Sequence, residues 1–325
     1  RVDILVSCIR SSSSQQVQNR FLLLVANLAS LDSDIVLHSV MPIFTFMGAN
    51  TIRQDDEFSA HVIQQTITQV IPALLSNQKE SNVGDVDFLL LSFVAAFAHI
   101  PRHRRVRLFS TLVKTLGSSS ALHSLIFLLG QKYFEAKQKR KSVDAKSLLQ
   151  FAESFFRSFT VSEQFLTIRN FLDLINLIPV HELTEEERET GSPFTQRQIF
   201  NSIVGYSTSN LLSLRSTLIQ YLASIITNEN IISDIPSLRV STAVLFKEAS
   251  VEQEAVNDIS VQIIKNTLQT LSDLRKKEEK DSLAPVINSY HLILDSFLEL
   301  LPINIFVHVF QNILLVSDNE KTRQQ

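Results

Sequence analysis

The sequence predicts an all-α protein, an α-solenoid in which helix pairs stack one on the next along residues 1–325. Glycine and proline are scarce, with six and eight residues respectively, whereas sheet-rich and doubly wound folds need many glycines for turns and phosphate loops. Apolar residues recur at the 3.6-residue period of a helix almost throughout the chain. A pattern of apolar helix, proline and second apolar helix also recurs. These features favour long helices joined by short polar turns.

The apolar period places helices over nearly the whole chain, and no segment shows the apolar–polar alternation of a strand. Residues that commonly cap helices lie at the expected ends: Asp55 and Asp56 precede Phe58, and Gly117 follows Leu116. The predicted helices span residues 13–30, 33–47, 56–77, 85–99, 102–116, 119–138, 143–159, 161–177, 195–204, 208–227, 237–248, 251–279, 284–300 and 303–316.

Helix–proline–helix units repeat along the chain. Ile100-Pro101 and Leu301-Pro302 each follow an apolar helix, and each proline is followed eight residues later by a phenylalanine of the next helix. Ile178-Pro179 repeats the first half of this pattern. A unit of two apolar helices cannot bury both of its faces alone, so it must stack on its neighbours.

The first complete unit covers residues 33–77. Pro42 falls inside its first helix and Pro72 late in its second, and a proline at such a position bends a helix. A bent first helix and a length of about 40–47 residues are typical of HEAT repeats. The sequence therefore predicts one solenoid segment of HEAT-like repeats over residues 1–325.

An acidic, turn-rich segment interrupts the helical pattern between residues 183 and 194. It contains Glu185, Glu186 and Glu187, and it ends with Gly191 and Pro193. We expect an exposed loop inside the array. A domain boundary at this place is the alternative.

Composition limits the class of protein. Apolar residues make up 45% of the chain, enough to bury a core, and the formal net charge is −3. That charge argues against a protein whose whole surface binds phosphate backbones. The single cysteine, Cys8, allows no disulfide within the chain and favours a reducing compartment. The longest apolar run, residues 86–100, includes Asp87 and is shorter than the roughly 20 residues of a membrane span. The chain begins at Arg1 rather than methionine, so we expect a piece of a larger soluble protein.

No catalytic or cofactor-binding motif occurs, such as a Walker loop, GxSxG, HExxH or GxGxxG. His99 and His103 are four residues apart, but Pro101 lies between them and no third ligand is near in sequence, so two surface histidines are favoured over a metal site. Cys8 lies between Val6 and Ile9, which indicates core packing rather than a nucleophile. The sequence predicts no enzyme activity, no cofactor, no metal and no small-molecule substrate.

One predicted helix, 102–116, carries a basic face. Arg104, Arg107 and Lys114, together with Thr111, fall opposite the apolar arc that Val106, Phe109, Leu112, Val113 and Leu116 form. Exposed cations in a stripe are the usual footprint of a phosphate contact. A solvated face that keeps the scaffold soluble is the ordinary interpretation of such a stripe; the hypothesis set against it is that this face contacts RNA or an acidic partner surface.

A second basic cluster lies between two predicted helices. It consists of Lys137, Lys139, Arg140 and Lys141. A plain interhelix linker is the alternative to a binding surface there.

Two blocks of sequence resemble a known family. The first runs through Leu37-His38-Ser39-Val40-Met41-Pro42-Ile43-Phe44-Thr45-Phe46-Met47-Gly48-Ala49-Asn50 and Arg53-Gln54-Asp55-Asp56 to Val70-Ile71-Pro72-Ala73-Leu74. The second, Ile100-Pro101-Arg102-His103-Arg104-Arg105, lies at the matching distance downstream. Both resemble the large HEAT-repeat protein of the small-subunit processome, the U-three small nucleolar RNA-associated protein ten family.

The resemblance implies a non-enzymatic scaffold of the nucleolus, and an internal segment from the C-terminal half of a far longer protein. It implies roles in assembly of the small-subunit processome (the 90S pre-ribosome), in pre-18S ribosomal RNA processing and in ribosomal RNA transcription by RNA polymerase I. The implied partners are processome proteins of the transcription-linked early subcomplex and, directly or indirectly, the U-three snoRNP and pre-rRNA, with no membrane. The alternative is a HEAT-type adaptor for transport or trafficking that binds extended peptides.

Overall fold

The computed structural model of the chain describes residues 2–31, 39–49, 55–76, 83–189, 192–228, 248–276, 280–301, 306–307 and 310–311. All regular structure within these residues is helical. The helices are α1 (Val2–Ser11), α2 (Gln15–Leu31), α3 (Val40–Ala49), α4 (Glu57–Ser76), α5 (Val83–Ala96), α6 (Arg102–Leu116), α7 (Ser118–Gln138), α8 (Ser142–Phe156), α9 (Val161–Leu177), α10 (Glu185–Glu189), α11 (Pro193–Gln196), α12 (Thr208–Ile226), α13 (Glu248–Lys276) and α14 (Lys280–Leu300), with 3₁₀ turns at Phe97–His99 and Gln198–Phe200.

Most of the predicted helices are present, with their ends shifted by a few residues. The prediction of one helix over 195–204 is wrong, because α11 and the second 3₁₀ turn divide that segment. Arg197 between them has an extended backbone (φ −89°, ψ 122°), and Ile199 and Phe200 are buried from a short turn instead of from one helical face. Helix α1 is absent from the predicted set. Residues 33–38 of the predicted helix 33–47, residues 237–247 of the predicted helix 237–248 and most of 303–316 lie outside the described residues.

The acidic segment is partly helical. Helix α10 lies within it, and the side chains of Glu185 and Glu186 are exposed. Thr184 and Glu187 form a reciprocal cap, in which the Glu187 N–H donates to Thr184 Oγ1 (3.3 Å) and the Thr184 N–H donates to Glu187 Oε2 (2.9 Å). Leu183 and Phe194 on either side are buried.

The chain forms two compact units. The first comprises Arg1–Leu128 and Arg197–Asn201, and the second comprises Leu129–Gln196 and Ser202–Gln325. That residues 1–325 form one continuous array stays a prediction.

In the first unit, helices pack with the next or next-but-one helix along the chain: α2 on α4, α4 on α6, and α3 on α5. Phenylalanine rings run through this core. Phe44 of α3 lies 5.9 Å from Phe93 of α5, which lies 6.4 Å from Phe109 of α6, between ring centroids. Since phenylalanine brings no polar group to satisfy, it suits a core made only of helix faces.

Two buried arginines cap the ends of helices that precede a proline. In the first unit, Arg105 Nε donates to the carbonyl oxygen of Ile100 at 2.9 Å, and its guanidinium lies 4.2 Å from the Phe97 ring centroid. In the second unit, Arg215 Nη1 donates to the carbonyl oxygen of Ile178 at 2.8 Å. A carbonyl at a helix end has no partner within its helix, so the two Ile-Pro sites share a polar contact as well as a sequence pattern.

In the second unit, α12 packs on α14 and α8, and α13 packs on α9 and α14. Helices α7 and α12 approach closely at Gly130. A Cβ atom at that position would lie 2.6 Å from Leu218 Cδ2 and 3.1 Å from Tyr221 Cδ1. A larger residue at position 130 would therefore fit only if Leu218 and Tyr221 shifted.

Replacement of Gly130 by alanine should destabilise the protein. In an open helix the change stabilises by about 1 kcal/mol, but here Leu218 and Tyr221 must shift, and the free energy of unfolding should fall by roughly 1–3 kcal/mol. Gly205→Ala is the matched control, since a Cβ atom at residue 205 meets no atom within 4 Å. Urea denaturation of both variants measures the difference, and a stabilised Gly130→Ala variant would contradict the close approach.

A buried ion pair crosses the first unit. Asp87 of α5 is 0% exposed, and its two carboxylate oxygens each lie 2.8 Å from the guanidinium of Arg197. Arg197 Nη2 also donates to Ser124 Oγ of α7 at 3.1 Å. The charge that interrupts the apolar run 86–100 is thus neutralised by a residue 110 positions away along the chain.

Removing one partner of this ion pair should lower the free energy of unfolding more than neutralising both partners together. Arg197→Met leaves a buried carboxylate without its cation, and we expect a loss of about 3–5 kcal/mol in the free energy of unfolding. The double variant Asp87→Asn with Arg197→Met buries no net charge and should recover more than half of that loss. Wild type, the two single variants Asp87→Asn and Arg197→Met, and the double variant form a double-mutant cycle in urea; simple additivity would refute the coupling.

Candidate functional site

A groove of about 270 Å³ lies between α4 and α6 in the first unit. Its wall is half apolar and half polar. The apolar part is formed by Ala60, Ile63, Ile100, Pro101 and Leu108, and the polar part by Glu57, His61, Gln64, His103, Arg104, Arg107 and Thr111. We call this cavity the α4–α6 groove.

The apolar arc predicted for α6 explains how the groove forms. Phe109, Leu112, Val113 and Leu116 are buried, so the opposite side of α6 faces outward. Arg105 is buried as well, which the arc did not predict, because its guanidinium caps the preceding helix end.

Arg107 is the exposed cation of the groove. Its Nη2 atom donates to Gln64 Oε1 of α4 at 2.8 Å, which holds the guanidinium over the groove. The Arg107 carbonyl accepts a hydrogen bond from Thr111 Oγ1 at 3.0 Å. The arrangement leaves a cation, an amide and a hydroxyl beside apolar side chains, a mixture that is usual in ligand-binding clefts.

Arg104 differs from its predicted role as an exposed cation, since its side chain is only 17% exposed. Its Nε atom lies 3.1 Å from Asp55 Oδ1, its Nη2 atom 3.6 Å from Glu57 Oε1, and its Nη1 atom donates to the Asp56 carbonyl at 2.7 Å. The acidic start of α4 thus neutralises most of the charge of Arg104. Lys114 is exposed and lies outside the groove wall.

Asp56 caps the first turn of α4 and so sets one wall of the groove. Its Oδ1 atom accepts the N–H of Ser59 at 2.8 Å, and its Oδ2 atom accepts the Ser59 hydroxyl at 2.6 Å. The hydrogen bonds from the Ser59 hydroxyl and N–H lower the pKa of the Asp56 carboxyl, and the nearby Arg104 charge lowers it further.

Asp56→Ala should lower the free energy of unfolding by about 1 kcal/mol at neutral pH, the usual cost of an N-cap. A carboxyl whose pKa is lowered by folding stabilises above its unfolded value of 3.8 and loses that contribution as pH falls through the folded value. The difference in the free energy of unfolding between wild type and Asp56→Ala should therefore become smaller below about pH 3.8. Denaturation as a function of pH measures it. Asp56→Asn keeps a cap acceptor and is the control; a difference that does not change with pH would refute the carboxylate cap.

Other candidate residues lie apart from the groove or at its edge. His103 Nε2 lies 3.3 Å from Asp55 Oδ1 at the groove, and His99 is exposed in the 3₁₀ turn. Across the described residues, no three His, Cys, Asp or Glu side chains come together as a metal ion would need. Cys8 is half-buried. None of the described helices combines the length and apolar character that crossing a membrane requires.

The sequence did not indicate the α4 side of the groove. His61 and Gln64 lie on α4, some 40 residues before α6, and their contribution follows only from the packing of the two helices. The second basic cluster lies where it was predicted: Lys137 near the end of α7, and Lys139, Arg140 and Lys141 in the turn to α8, all exposed.

Comparison with known proteins identifies the family. The family model for HEATR1-like proteins, which describes HEAT repeats, matches residues 79–302. The chain belongs to this HEATR1-like family. Since the family is built of HEAT repeats and all regular structure in the described residues is helical, the predicted all-α solenoid of HEAT-like repeats is confirmed.

Relatives in the HEATR1-like family carry the name that the sequence blocks resemble. U3 small nucleolar RNA-associated protein 10 of Scheffersomyces stipitis is 43% identical over 316 residues, which cover 94% of this chain and 17% of the relative. The protein of the same name from Saccharomyces cerevisiae is 34% identical over 346 residues, covering 99% of this chain and 19% of the relative. The resemblance is thereby confirmed, and the chain spans less than a fifth of the length of these relatives.

Proposed function

We propose that this chain is a scaffold segment of a nucleolar ribosome-biogenesis factor. It acts by binding other macromolecules during assembly of the small-subunit processome, supports pre-18S ribosomal RNA processing and ribosomal RNA transcription by RNA polymerase I, and catalyses no reaction. The observation that carries the proposal is the 43% identity, over 94% of the chain, to a protein named for its association with U3 small nucleolar RNA.

Within that role, we assign the α4–α6 groove to a protein partner. Its exposed cation, Arg107, favours an acidic segment. Lys114, outside the groove wall, lies seven residues, or two helical turns, further along α6 and adds a second exposed cation to the same helix. The apolar wall of the groove offers contact area that a phosphate backbone would not use, whereas protein interfaces bury apolar surface at their centre. The neutralisation of Arg104 by Asp55 and Glu57 also weakens the case for RNA at this face.

The partners proposed for the chain are proteins of the transcription-linked early subcomplex of the processome, with the U3 snoRNP and pre-rRNA contacted directly or through them. A HEAT-type adaptor that carries extended peptides in transport or trafficking is the second candidate, and the apolar groove wall is the observation that favours it. The two functions predict different partner proteins in an affinity purification from cells.

Reversal of the exposed cations should release the protein partners. Arg107→Glu with Lys114→Glu changes the charge of the α6 face by four units, and like-charge contacts with an acidic partner should lower the recovered processome proteins by roughly tenfold or more. Arg104 is kept, because reversing it would break its contacts with the start of α4. Affinity purification from nucleolar extract, followed by mass spectrometry and by quantification of U3 RNA, measures the result.

Arg10→Glu with Arg20→Glu is the matched control, since both residues are exposed in the first unit and the change of charge is the same. Recovery that is equal in the groove variant and in wild type would overturn the assignment of the groove. If the groove variant recovers less U3 RNA but as much processome protein as wild type, the face binds RNA instead. Recovery of transport receptors or vesicle coats in place of processome proteins would favour the adaptor.

A further inference from the structure

The turn from α7 to α8 concentrates positive charge on a surface that the scaffold role leaves unassigned. Between Lys132 and Lys146, six lysine and arginine residues are accompanied by two acidic residues, a net charge of +4 in a chain whose net charge is −3. Every residue from Lys137 to Asp144 is exposed. The charge is therefore presented to solvent along a continuous stretch of eight residues.

Local contacts hold part of this cluster in place. The Lys137 ammonium lies 5.0 Å from the centroid of the Tyr133 ring, and Lys139 Nζ lies 3.7 Å from Glu135 Oε2. Among the described residues, no hydrogen bond or ion pair engages the side chains of Arg140 and Lys141. Two cations are thus anchored beside α7, and two more project from the turn itself.

The backbone of Arg140 is in a conformation that favours glycine. Its φ is +56°, and it is the one non-glycine residue with a positive φ among those described. The N–H of Lys141 donates to the carbonyl of Ala136 at 2.8 Å and that of Arg140 to Lys137 at 3.0 Å, which is the left-handed end of α7 where glycine is usual. An arginine at this position strains the backbone. A cation in a strained backbone position, where glycine would fit with less strain, points to a function for the charge.

The composition of the turn indicates the class of ligand. An interface with a folded acidic protein has an apolar centre, but Val143 is the one apolar side chain among residues 137–144. Neutralisation of a phosphate backbone needs only cations. Helix α8 adds to the positive potential, because its N-terminus lies in the turn and its N-cap, Lys141, makes no side-chain cap.

We propose that the α7–α8 turn, through Lys137, Lys139, Arg140 and Lys141, binds the phosphate backbone of RNA. This inference deepens the proposed scaffold role by assigning RNA and protein to different surfaces, with RNA at this turn and protein in the α4–α6 groove. Recognition is by phosphate and independent of base sequence, since the turn offers cations in place of a pocket for bases.

The test uses the full chain and a fluorescent uridine oligonucleotide as the probe, with binding followed by anisotropy over a range of salt concentrations. Lys139→Gln, Arg140→Gly and Lys141→Gln together should weaken binding about tenfold and reduce the slope of log affinity against log salt by about 2. Arg140→Gly alone should weaken binding roughly threefold while the melting temperature stays the same or rises, because glycine relieves the strain.

Arg10→Gln with Arg20→Gln removes two exposed charges of the first unit, compared with three in the triple variant, and should bind RNA as wild type does. Unchanged RNA binding in the triple variant would overturn the proposal, as would a loss of binding that accompanies a lower melting temperature in Arg140→Gly. If polyglutamate binds as tightly as the oligonucleotide and is released by the same substitutions, the ligand is an acidic protein and the RNA assignment is wrong. Recovery of processome proteins by the groove variants is a separate readout, so failure here is distinguishable from failure of the scaffold role.

Discussion

Burial of one apolar helix face against the next is the constraint on which the rest of this protein depends. A helix pair cannot bury two apolar faces by itself, so each helix packs on other helices. In the first unit these are near neighbours in the chain, as α2, α4 and α6 are. Rings of Phe44, Phe93 and Phe109 meet in that interior. Because these contacts use one face of each helix, the outer faces remain available for binding surfaces.

Polar groups inside such a core must find partners, and the structure satisfies them with few residues. Arg105 and Arg215 each cap the carbonyl before a proline. Asp87 and Arg197 neutralise one another inside the first unit. Each contact replaces the hydration that burial removes. Substituting only one partner of a contact destabilises the fold, because the other polar group stays buried without a partner. These contacts also specify which segments meet, as Arg197 does for the turn that holds Ile199 and Phe200.

Charge at the surface is arranged in two different ways. On the α4–α6 groove, acidic residues at the start of α4 cancel the charge of Arg104 and leave Arg107 as the exposed cation beside apolar walls. At the α7–α8 turn, basic residues outnumber acidic residues, and one of the basic residues, Arg140, has a strained backbone with a positive φ. The net charge of −3 therefore averages over two surfaces of distinct chemistry, one suited to a protein segment and one to phosphates.

The sequence by itself determined the helical class, the HEAT-type repeat and the family, because these depend on local periodicity, on glycine scarcity and on contiguous motifs such as 37–56. It also placed Arg104, Arg107 and the cluster around Arg140 on helix and turn surfaces. Only the tertiary structure decided that Arg104 is neutralised, that His61 and Gln64 complete the groove, and that 195–204 is a turn built around the Arg197–Asp87 pair. The physical reason is distance along the chain: these outcomes depend on contacts between residues some 40 to 110 positions apart, for which no local pattern exists.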